Sequence, residues 1–492
     1  MSDWLDAEAH ADRALEMFER GRWSEAESEL RKAIELNPQQ AEWHYNLGLT
    51  IEAAGRDSEA LDCFARTAAM MPDQVEPAIA AGNTALRLSR FREAIDWFGR
   101  ALRVDPRHEG AYAGTIDAHV RLEEHEEAET TFYLSQQALE SPSGSCLAAI
   151  ARSLVDREDW DRAAWCLREA LQAEPTIPRL RAMLAFVLAA QGQQQRAVQL
   201  YLRELREDPG NADTLLDYGE LLVDMGRFAE GAEKFRRVLE LEPANVEAHE
   251  RLGWIAMRQG RDEQAHLEYE LVLKLDPDFP GIRLSLAEVL IRRGMLEDAR
   301  RTLGEELEHW LEASPSPSLE DDPVDRFARL LLDADLAVEA VRLLEATEAA
   351  RSDRPEILRA LALARFRTGD GDGGCAASRR VLRYESDCVV SMHNMALHAL
   401  EAGQLQIAAG WIHRGLRVDP HDAGLRQLRM RLYVAVVRGV FARWRGRGRQ
   451  GGVAASGGRP AMRTSAASRV TAPASTGLAG ASSTGTASRR PR

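Results

Sequence analysis

The segment of this chain that could bind a phosphate or a metal lies at residues 369–374, which read Gly-Asp-Gly-Asp-Gly-Gly. This spacing satisfies the pattern G-x-G-x-x-G, in which glycines let a loop approach a dinucleotide, and the two aspartates offer oxygen ligands to calcium. No predicted strand precedes the segment, and the spaced ligands and closing glutamate of an EF-hand are missing. The sequence therefore predicts neither a phosphate site nor a metal site here.

Histidines and cysteines give no catalytic or metal-binding arrangement either. His393 and His398 are five residues apart, whereas two ligands on one face of a helix need a spacing of about four. His119 and His125 flank a predicted turn and have no acidic or cysteine partner at ligand spacing. The five cysteines are scattered without a Cys-x-x-Cys pair, which is typical of reduced thiols in the cytosol. We therefore expect no enzyme, no metal, no cofactor and a cytoplasmic location.

A regular spacing of prolines organises the chain on a larger scale. Proline recurs every 34 residues in two series, which are Pro38, Pro72 and Pro106, and then Pro175, Pro209, Pro243 and Pro277. A period of roughly 20–50 residues indicates stacked copies of one supersecondary unit. Within a period, two apolar runs with helical spacing are separated by a glycine such as Gly55, which suits a helix end because it tolerates positive φ. Each period is therefore predicted to be a helical hairpin.

Small residues recur at one position of the predicted first helices, where only Ile116 is bulky, and at one position of every second helix. The first-helix series is Ala14, Gly48, Gly82, Ile116, Ala151, Ala185, Gly219, Gly253, Ala287, Ala328, Ala362 and Ala396. The second-helix series is Ala26, Ala60, Ala94, Ala128, Ala163, Ala197, Gly231, Ala265, Ala299, Ala340, Gly374 and Ala408. Two helices approach closely where neither presents bulk, so these residues are predicted to mark the helix crossings.

A large side chain follows most second-helix positions by four residues, and we expect it to fill the groove against the neighbouring hairpin. The large residues are Leu30, Phe64, Phe98, Phe132, Leu167, Tyr201, Phe235, Tyr269, Leu303, Leu344 and Ile412. Ser378 interrupts this series, and its hairpin is predicted to be the weakest.

These features resemble the tetratricopeptide repeat (TPR) family. The resemblance rests on the 34-residue period, on motifs such as Leu47-Gly48 and Leu252-Gly253, on the alanine series and on second helices that end at proline. It covers residues 7–422 and about 12 hairpins. The resemblance implies an all-α fold, an α-solenoid of stacked antiparallel helical hairpins in a right-handed superhelix.

The sequence divides into five predicted segments. Residues 7–312 form about nine regular hairpins, residues 313–323 an acidic loop rich in proline and serine that is either a hinge or an ordinary insertion, and residues 324–422 three degenerate hairpins. Residues 423–444 are predicted to be a helix that caps the stack, with a basic helix at a membrane surface as the alternative. Residues 445–492, rich in Gly, Ala, Ser and Arg, are predicted to be disordered.

Charge is distributed unevenly along the chain. The formal net charge is −15, yet no Asp or Glu follows Asp422, whereas 14 of the 63 basic residues do. The predicted repeats are therefore strongly acidic, and the remaining C-terminal segment is basic. An acidic repeat surface disfavours an extended track for nucleic acid.

The family resemblance implies a binding function for the first helices, which line the concave groove of such proteins. The residues expected to contact a peptide are Tyr45, Asn46, Leu49, Asn83, Arg152, Met183, Phe186, Asp217, Glu220, Glu250, Arg251, Trp254, Met257, Glu288 and Asn394. Asn46 and Asn394 correspond to positions where family asparagines often bind the peptide backbone of a ligand. The mixture of apolar and acidic residues predicts a partner segment that is partly basic and partly apolar.

The sequence therefore predicts a non-catalytic scaffold or adaptor that binds a peptide or helix of a partner protein. Two alternatives stay open: an RNA-associated protein that uses the arginine- and glycine-rich tail, and a non-catalytic subunit of an enzyme or secretion complex. Self-association stays open as well. No stretch of the sequence is long and apolar enough to predict a transmembrane segment.

Overall fold

The computed structural model describes residues 2–312, 323–350 and 354–449, and every regular element in these residues is an α-helix. The described chain divides into two compact units, the first ending at Pro243 and the second beginning at Ala244. In both units the helices pair in chain order, each odd-numbered helix with the even-numbered helix that follows it, and the last described helix packs on the two before it. The predicted fold class, an all-α solenoid of helical hairpins, is confirmed.

The first unit consists of seven successive hairpins within the described residues. Its helices are α1 (Ser2–Glu19), α2 (Trp23–Leu36), α3 (Ala41–Ala53), α4 (Asp57–Met70), α5 (Glu76–Arg87), α6 (Phe91–Val104), α7 (Glu109–Arg121), α8 (His125–Ala138), α9 (Gly144–Asp156), α10 (Trp160–Ala173), α11 (Leu180–Ala190), α12 (Gln194–Glu207), α13 (Ala212–Asp224) and α14 (Phe228–Leu241).

The second unit consists of five hairpins and a long final helix, again within the described residues. Its helices are α15 (Val246–Arg258), α16 (Asp262–Leu275), α17 (Ile282–Arg292), α18 (Leu296–Glu312), α19 (Pro323–Asp333), α20 (Ala337–Ala350), α21 (Pro355–Thr368), α22 (Gly371–Tyr384), α23 (Val389–Glu401), α24 (Leu405–Val418) and α25 (Ala423–Arg449).

Proline and glycine end the helices where the sequence predicts. Helix α4 ends at Met70, two residues before Pro72, because the proline ring cannot continue the hydrogen-bonded ladder. Helix α3 ends at Ala53, two residues before Gly55, which has φ = 78°. The N–H of Arg56 then donates back to the carbonyl of Ile51 at 3.1 Å, which closes the helix end.

The small positions lie at close helix crossings, as predicted. A Cβ atom placed on Gly82 of α5 would lie 2.5 Å from the ring of Phe98 on α6. The same ring also touches Gly114 of α7, in the next hairpin. The expectation that the large side chain faces the neighbouring hairpin is therefore incomplete, because the ring packs first on the glycine of its own hairpin. All residues of the large series are buried.

Glycine and aromatic residues are matched within hairpins. The four glycines of the first-helix series stand under aromatic rings of their own second helix, in the pairs Gly48–Phe64, Gly82–Phe98, Gly219–Phe235 and Gly253–Tyr269. Alanine at the same position accompanies leucine in the pairs Ala14–Leu30, Ala151–Leu167, Ala287–Leu303 and Ala328–Leu344. A flat ring that covers the helix backbone leaves no room for a methyl group, whereas leucine does.

Among the hairpins whose large residue is aromatic, two depart from this matching. In α11 and α12, Ala185 pairs with Tyr201, whose ring stacks on Tyr218 of the next hairpin at 5.7 Å between centroids. In α7 and α8, the bulky Ile116 is fully buried, and Phe132 keeps an exposed fraction of 8%. The ring in each case adjusts to a first-helix residue larger than glycine.

The predicted segment boundaries differ from the helices at two points. Pro323, assigned to the acidic loop, begins α19, because proline suits the first turn of a helix, where its missing N–H is not needed. Helix α25 continues to Arg449, so Arg445–Arg449, assigned to the tail, are helical. The rest of the predicted loop, residues 313–322, and of the predicted tail, residues 450–492, lies outside the described residues.

Candidate functional site

The candidate surface is formed by two positions on each first helix, two residues before and one residue after the small residue. We call this surface the first-helix face. The two positions are three residues apart and therefore share one side of the helix. In the first unit the face comprises Asp12 and Leu15 on α1, Asn46 and Leu49 on α3, Ala80 and Asn83 on α5, Gly114 and Asp117 on α7, Ala149 and Arg152 on α9, Met183 and Phe186 on α11, and Asp217 and Glu220 on α13.

Two amide side chains lie on the first part of this face. Asn46 and Asn83 are exposed, and within the described chain neither amide group makes a hydrogen bond. An amide both donates and accepts, so each can bind the N–H and C=O groups of an extended backbone. Leu49 is half-buried beside Asn46 and packs on the core of the unit.

Tyr45 packs beneath the first-helix face and is only partly exposed on it. Its ring is half-buried and packs at 5.5 Å, between centroids, against Phe64 of the same hairpin. Burial, with a further contribution from the carboxylates of Glu76 and Glu52, raises the pKa of the Tyr45 phenol. The hydroxyl therefore stays protonated and can donate a hydrogen bond at neutral pH.

Arg152 is part of an ion pair between neighbouring first helices. Its guanidinium binds the carboxylate of Asp117 on α7, which also accepts from Arg121 at 3.1 Å. The sequence identified Arg152 but missed Asp117, although both follow their small residues by one position. The pair neutralises this part of the face, so Arg152 does not present an isolated cation.

An apolar surface follows on α11. Phe186 has an exposed fraction of 38%, and its ring meets that of Trp160 from α10 edge-on at 6.3 Å between centroids. Met183 is half-buried one turn earlier and packs on the core. Aromatic and thioether side chains together make an adaptable contact for an apolar side chain. Trp160 was missed by the sequence analysis because it belongs to a second helix.

Carboxylates on α13 border this apolar surface. Asp217 accepts from the guanidinium of Arg179 at 2.9 Å, and Arg179 also binds Asp213 at 2.7 Å. Glu220 is half-buried one turn after Asp217. The side chain of Asp217 is therefore oriented by Arg179, a residue that sequence reasoning did not identify, because it precedes α11 in a turn with φ = 62°.

In the second unit, α15 carries four of the predicted contact residues. Glu250 and Arg251 are half-buried and form an ion pair at 3.5 Å. Trp254 is half-buried, and the guanidinium of Arg258 lies 5.3 Å from its ring centroid. Met257 is buried with an exposed fraction of 8% and belongs to the core, so its assignment to the binding surface is wrong. The position four residues after Gly253 points between helices and not to the face.

The last two predicted residues lie farther along the second unit. Glu288 on α17 binds Arg326 of α19 at 2.8 Å, which resembles the Asp117–Arg152 pair in joining first helices of neighbouring hairpins. Asn394 is half-buried on α23, two residues before Ala396. It has the register of Asn46 in the first unit.

The glycine-rich segment is built as a helix start. Gly371 begins α22, and the carboxylate of Asp370 accepts from the N–H of Gly373 at 2.9 Å, which is an ordinary N-cap. The carboxylate of Asp370 therefore caps its own helix. Among the described residues, no group of three His, Cys, Asp or Glu side chains is arranged to bind a metal.

Two glutamates outside the first-helix face, Glu109 and Glu174, lie at the N-terminus of α9. Glu174 accepts from the N–H of Gly144 at 2.9 Å and from the hydroxyl of Ser145 at 3.2 Å. Burial, opposed by Ser143 and reinforced by Glu174, raises the pKa of the neighbouring Glu109. Ser143 itself caps α9 by accepting from Cys146 at 3.0 Å. These groups satisfy a helix end.

No helix in the described part of the chain has the length and apolar character needed to cross a membrane.

Family comparisons identify the repeat. The family model described as tetratricopeptide repeat matches residues 79–140, 148–212 and 216–278, and a model described as TPR repeat matches residues 14–55. No curated protein gives a significant match to the sequence.

Three of the solved structures that match this chain do so with low sequence identity and low TM-scores. Yeast Tom70 is 14% identical, with 88% of this chain and 96% of that chain covered and a TM-score of 0.37. A tetratricopeptide repeat protein from Parabacteroides merdae is 16% identical, with coverage of 58% and 99% and a TM-score of 0.38. YrrB, described as a TPR protein with an unusual peptide-binding site, is 20% identical, with coverage of 38% and 95% and a TM-score of 0.29.

Proposed function

Because this chain belongs to the tetratricopeptide repeat proteins, a family of protein-interaction scaffolds, we propose that its first-helix face binds an extended segment or a helix of a partner protein without catalysis. The observation that carries the proposal is the exposed ring of Phe186 between amides and carboxylates on one side of successive first helices. An exposed aromatic side chain with polar neighbours is typical of a contact that anchors a partner.

The chemistry of the face defines the partner segment. Asn46 and Asn83 supply donors and acceptors for a peptide backbone, Phe186 with Met183 supplies an apolar contact, and Glu220 supplies negative charge. The Asp117–Arg152 pair leaves the middle of the face neutral. We therefore propose a segment with an apolar anchor followed by a basic residue, whose backbone is bound by amides.

Peptide selection tests this assignment. A random library of peptides about 15 residues long, displayed on phage, is selected on the full chain and on Phe186→Ala. We expect selection on the full chain to enrich an apolar residue near Arg or Lys. The Phe186→Ala variant should weaken binding of the enriched peptides about tenfold or more, because a central aromatic anchor contributes about 2 kcal/mol or more.

Matched controls distinguish the face from any exposed aromatic or amide. Trp165 on α10 is exposed to 51% and lies on a second helix, so Trp165→Ala should leave peptide affinity unchanged. Gln136 and Gln137 on α8 are exposed amides outside the face, so Gln136→Ala and Gln137→Ala are the controls for Asn46→Ala and Asn83→Ala. The two control variants should also leave peptide affinity unchanged. Equal losses in the control and face variants, or enriched peptides that ignore all face variants, would contradict the proposal.

Glu220→Gln tests the polarity of the partner. Removal of one carboxylate charge should weaken binding of peptides that carry Lys or Arg about threefold. The difference should shrink at high salt, which screens a half-buried charge in part. Peptides with a neutral residue in place of the Lys or Arg should bind the unmodified chain and Glu220→Gln equally. An unchanged preference for basic residues in Glu220→Gln would contradict the role of this carboxylate.

A further inference from the structure

The final helix, α25, has two apolar sides, and one of them covers the last hairpin. Leu425 and Leu428 are buried and Leu432 is half-buried, in one cluster with Ile412 of α24 and Ala396 of α23. This side of α25 accounts for the predicted capping role.

The opposite side of α25 is apolar and exposed. Met430, Val434 and Val437 have exposed fractions of 63%, 48% and 51%. Their spacing of four and then three residues puts them on one side of a helix. Leu428 and Val437 are nine residues apart, or about 2.5 turns, so they lie on opposite sides of α25. In the sequence, Phe441 and Trp444 continue the same spacing.

The charges that flank this second side are all positive. Arg431 and Arg438 each follow one of its apolar residues directly, and both are exposed, as is Arg429. No carboxylate of the described chain forms an ion pair with any of these three arginines. The helix contains no Asp or Glu, and the sequence has none beyond it. An exposed apolar side with unopposed positive charge therefore remains once the capping contacts are made.

The charges disfavour a second copy of α25 as the occupant of this side. Two identical helices packed through Met430, Val434 and Val437 would bring Arg431 and Arg438 of one copy towards arginines of the other, with no carboxylate to compensate. Nucleic acid fits the charge, and Phe441 and Trp444 have rings that could stack on bases. The exposed side chains of Met430, Val434 and Val437, however, contribute nothing to base stacking, which uses aromatic faces.

We propose that α25 lies on an anionic lipid bilayer. Met430, Val434 and Val437 would enter the boundary between headgroups and acyl chains, while Arg431 and Arg438 would contact the lipid phosphates. A basic helix that exposes an apolar side binds such a surface in two ways, by burial of its apolar side chains and by attraction of its arginines to anionic lipids. Either interaction alone gives weak attachment, so both are needed. The helix would then hold the repeats at a membrane through its outer side while its inner side caps the last hairpin.

Vesicle sedimentation tests this proposal with the full chain. The probes are vesicles of phosphatidylcholine alone and vesicles with about 30 mol % phosphatidylglycerol. We expect binding to the anionic vesicles only, and a steep loss of binding with added salt. Equal binding to both vesicles, or no binding to the anionic ones, overturns the proposal.

The apolar contribution is tested by Val434→Glu with Val437→Glu, which should lower binding to anionic vesicles about tenfold or more. The matched control is Val338→Glu with Val390→Glu, because these valines are exposed to 61% and 63% on α20 and α23. The control protein should bind like the unmodified chain. An equal loss in both double variants would attribute the effect to net charge and overturn the role of the apolar side.

The charge contribution is tested by Arg431→Glu with Arg438→Glu, compared with Arg103→Glu and Arg168→Glu in the first unit, where both arginines are exposed. We expect roughly a tenfold loss for the α25 pair and little change for the control pair. Circular dichroism checks that each protein stays helical.

Two results would assign the exposed side to another occupant. If the valine variants change the oligomeric state measured by light scattering and leave vesicle binding intact, the side is an interface between copies. If a single-stranded RNA binds the chain and the vesicles do not, the arginines serve nucleic acid. Either result overturns the lipid proposal.

Discussion

Two hairpins of this chain place an aromatic ring over a glycine of the facing helix, but the two helices exchange roles. In the hairpin of α5 and α6, Gly82 on the first helix lies under the ring of Phe98 on the second helix. In the hairpin of α21 and α22, Gly374 on the second helix lies under the ring of Phe366 on the first helix. In both hairpins the ring covers a glycine of the facing helix, and the comparison shows that either helix can supply the ring.

The two arrangements differ in burial. Phe98 is fully buried, whereas Phe366 is half-buried. The position that carries a large side chain in the other second helices holds Ser378 in α22. This serine is fully buried, and its hydroxyl has no hydrogen-bond partner among the described residues. A buried hydroxyl without a partner costs free energy of folding. The reversed hairpin is therefore expected to be the less stable of the two.

The largest expected effect comes from removing the rings. Phe98→Ala should lower the free energy of unfolding by about 3–5 kcal/mol, because the ring is fully buried and touches glycines of two hairpins. Phe366→Ala should cost about half as much, because part of its ring already contacts water. Urea unfolding, with hydrogen exchange of amides in α5 and α21, measures both. Equal costs would contradict the difference between the hairpins.

A double-mutant cycle tests whether glycine and ring are matched. Gly82→Ala should cost about 1–3 kcal/mol, since the new methyl group would overlap the ring of Phe98. Phe98→Leu in the same chain should recover part of that cost, with a coupling energy of about 1 kcal/mol, because alanine with leucine is the pair found in four other hairpins.

The control for this cycle is Gly99 on α6, where an added methyl group would meet nothing within 4 Å. Gly99→Ala should raise stability by up to about 1 kcal/mol, because alanine is the better helix former and no clash opposes it. A loss at Gly99 as large as that at Gly82 would show that backbone effects, and not the ring, determine the cost.

The buried hydroxyl gives a smaller effect of opposite sign. Ser378→Ala should raise the free energy of unfolding by about 1 kcal/mol, because it removes a buried polar group that has no partner. Ser135 is the matched control: it is buried to 99%, with an exposed fraction of 1%, and its hydroxyl donates to the carbonyl of Phe132 at 2.7 Å. Ser135→Ala should therefore lower stability by about 1 kcal/mol or leave it unchanged. Stabilisation in both variants would sink this explanation.

The smallest effect concerns the turns of the same two hairpins. Ser89, between α5 and α6, has φ = 57°, and Gly369, between α21 and α22, has φ = 86°. Ser89→Gly should stabilise the chain by about 0.5–1 kcal/mol, because serine is strained in this region, and Gly369→Ser should destabilise it by a similar amount. Thermal unfolding of both variants provides the measurement, and effects of the same sign would be inconsistent with strain as the cause.

Much of the fold was predictable because the repeat is local. Pro72 and Gly55 fix helix ends through their own backbone restrictions, and the small and large series fix which sides of the helices meet. The sequence predicts the hairpin of Ser378 to be the weakest, because position 378 lacks a large side chain. Phe366 lies four residues after Ala362, outside the small and large series, so its compensating contact with Gly374 was not visible.

The candidate site was less predictable than the fold. The register identified Asn46 and Phe186 as members of the first-helix face, but it also included Met257, which is buried. The position of a residue within the repeat gives the direction of its side chain on its own helix. Whether that side chain is buried depends on which residues of the neighbouring helix pack against it. For the same reason, Arg152 seemed a ligand-binding cation until Asp117 of the preceding hairpin paired with it.

The sequence by itself determined the repeat, the all-α fold, the ends of the helices and the acidic and basic division of the chain, because each follows from local periodicity, backbone restriction or composition. Only the tertiary structure decided which rings cover which glycines, which charges of the first-helix face are paired, and that α25 keeps one apolar side exposed after it caps the last hairpin. The ring–glycine contacts join the two helices of one hairpin, whereas the paired charges and the cap join neighbouring hairpins. All of them link residues on different helices, which only the folded chain brings together.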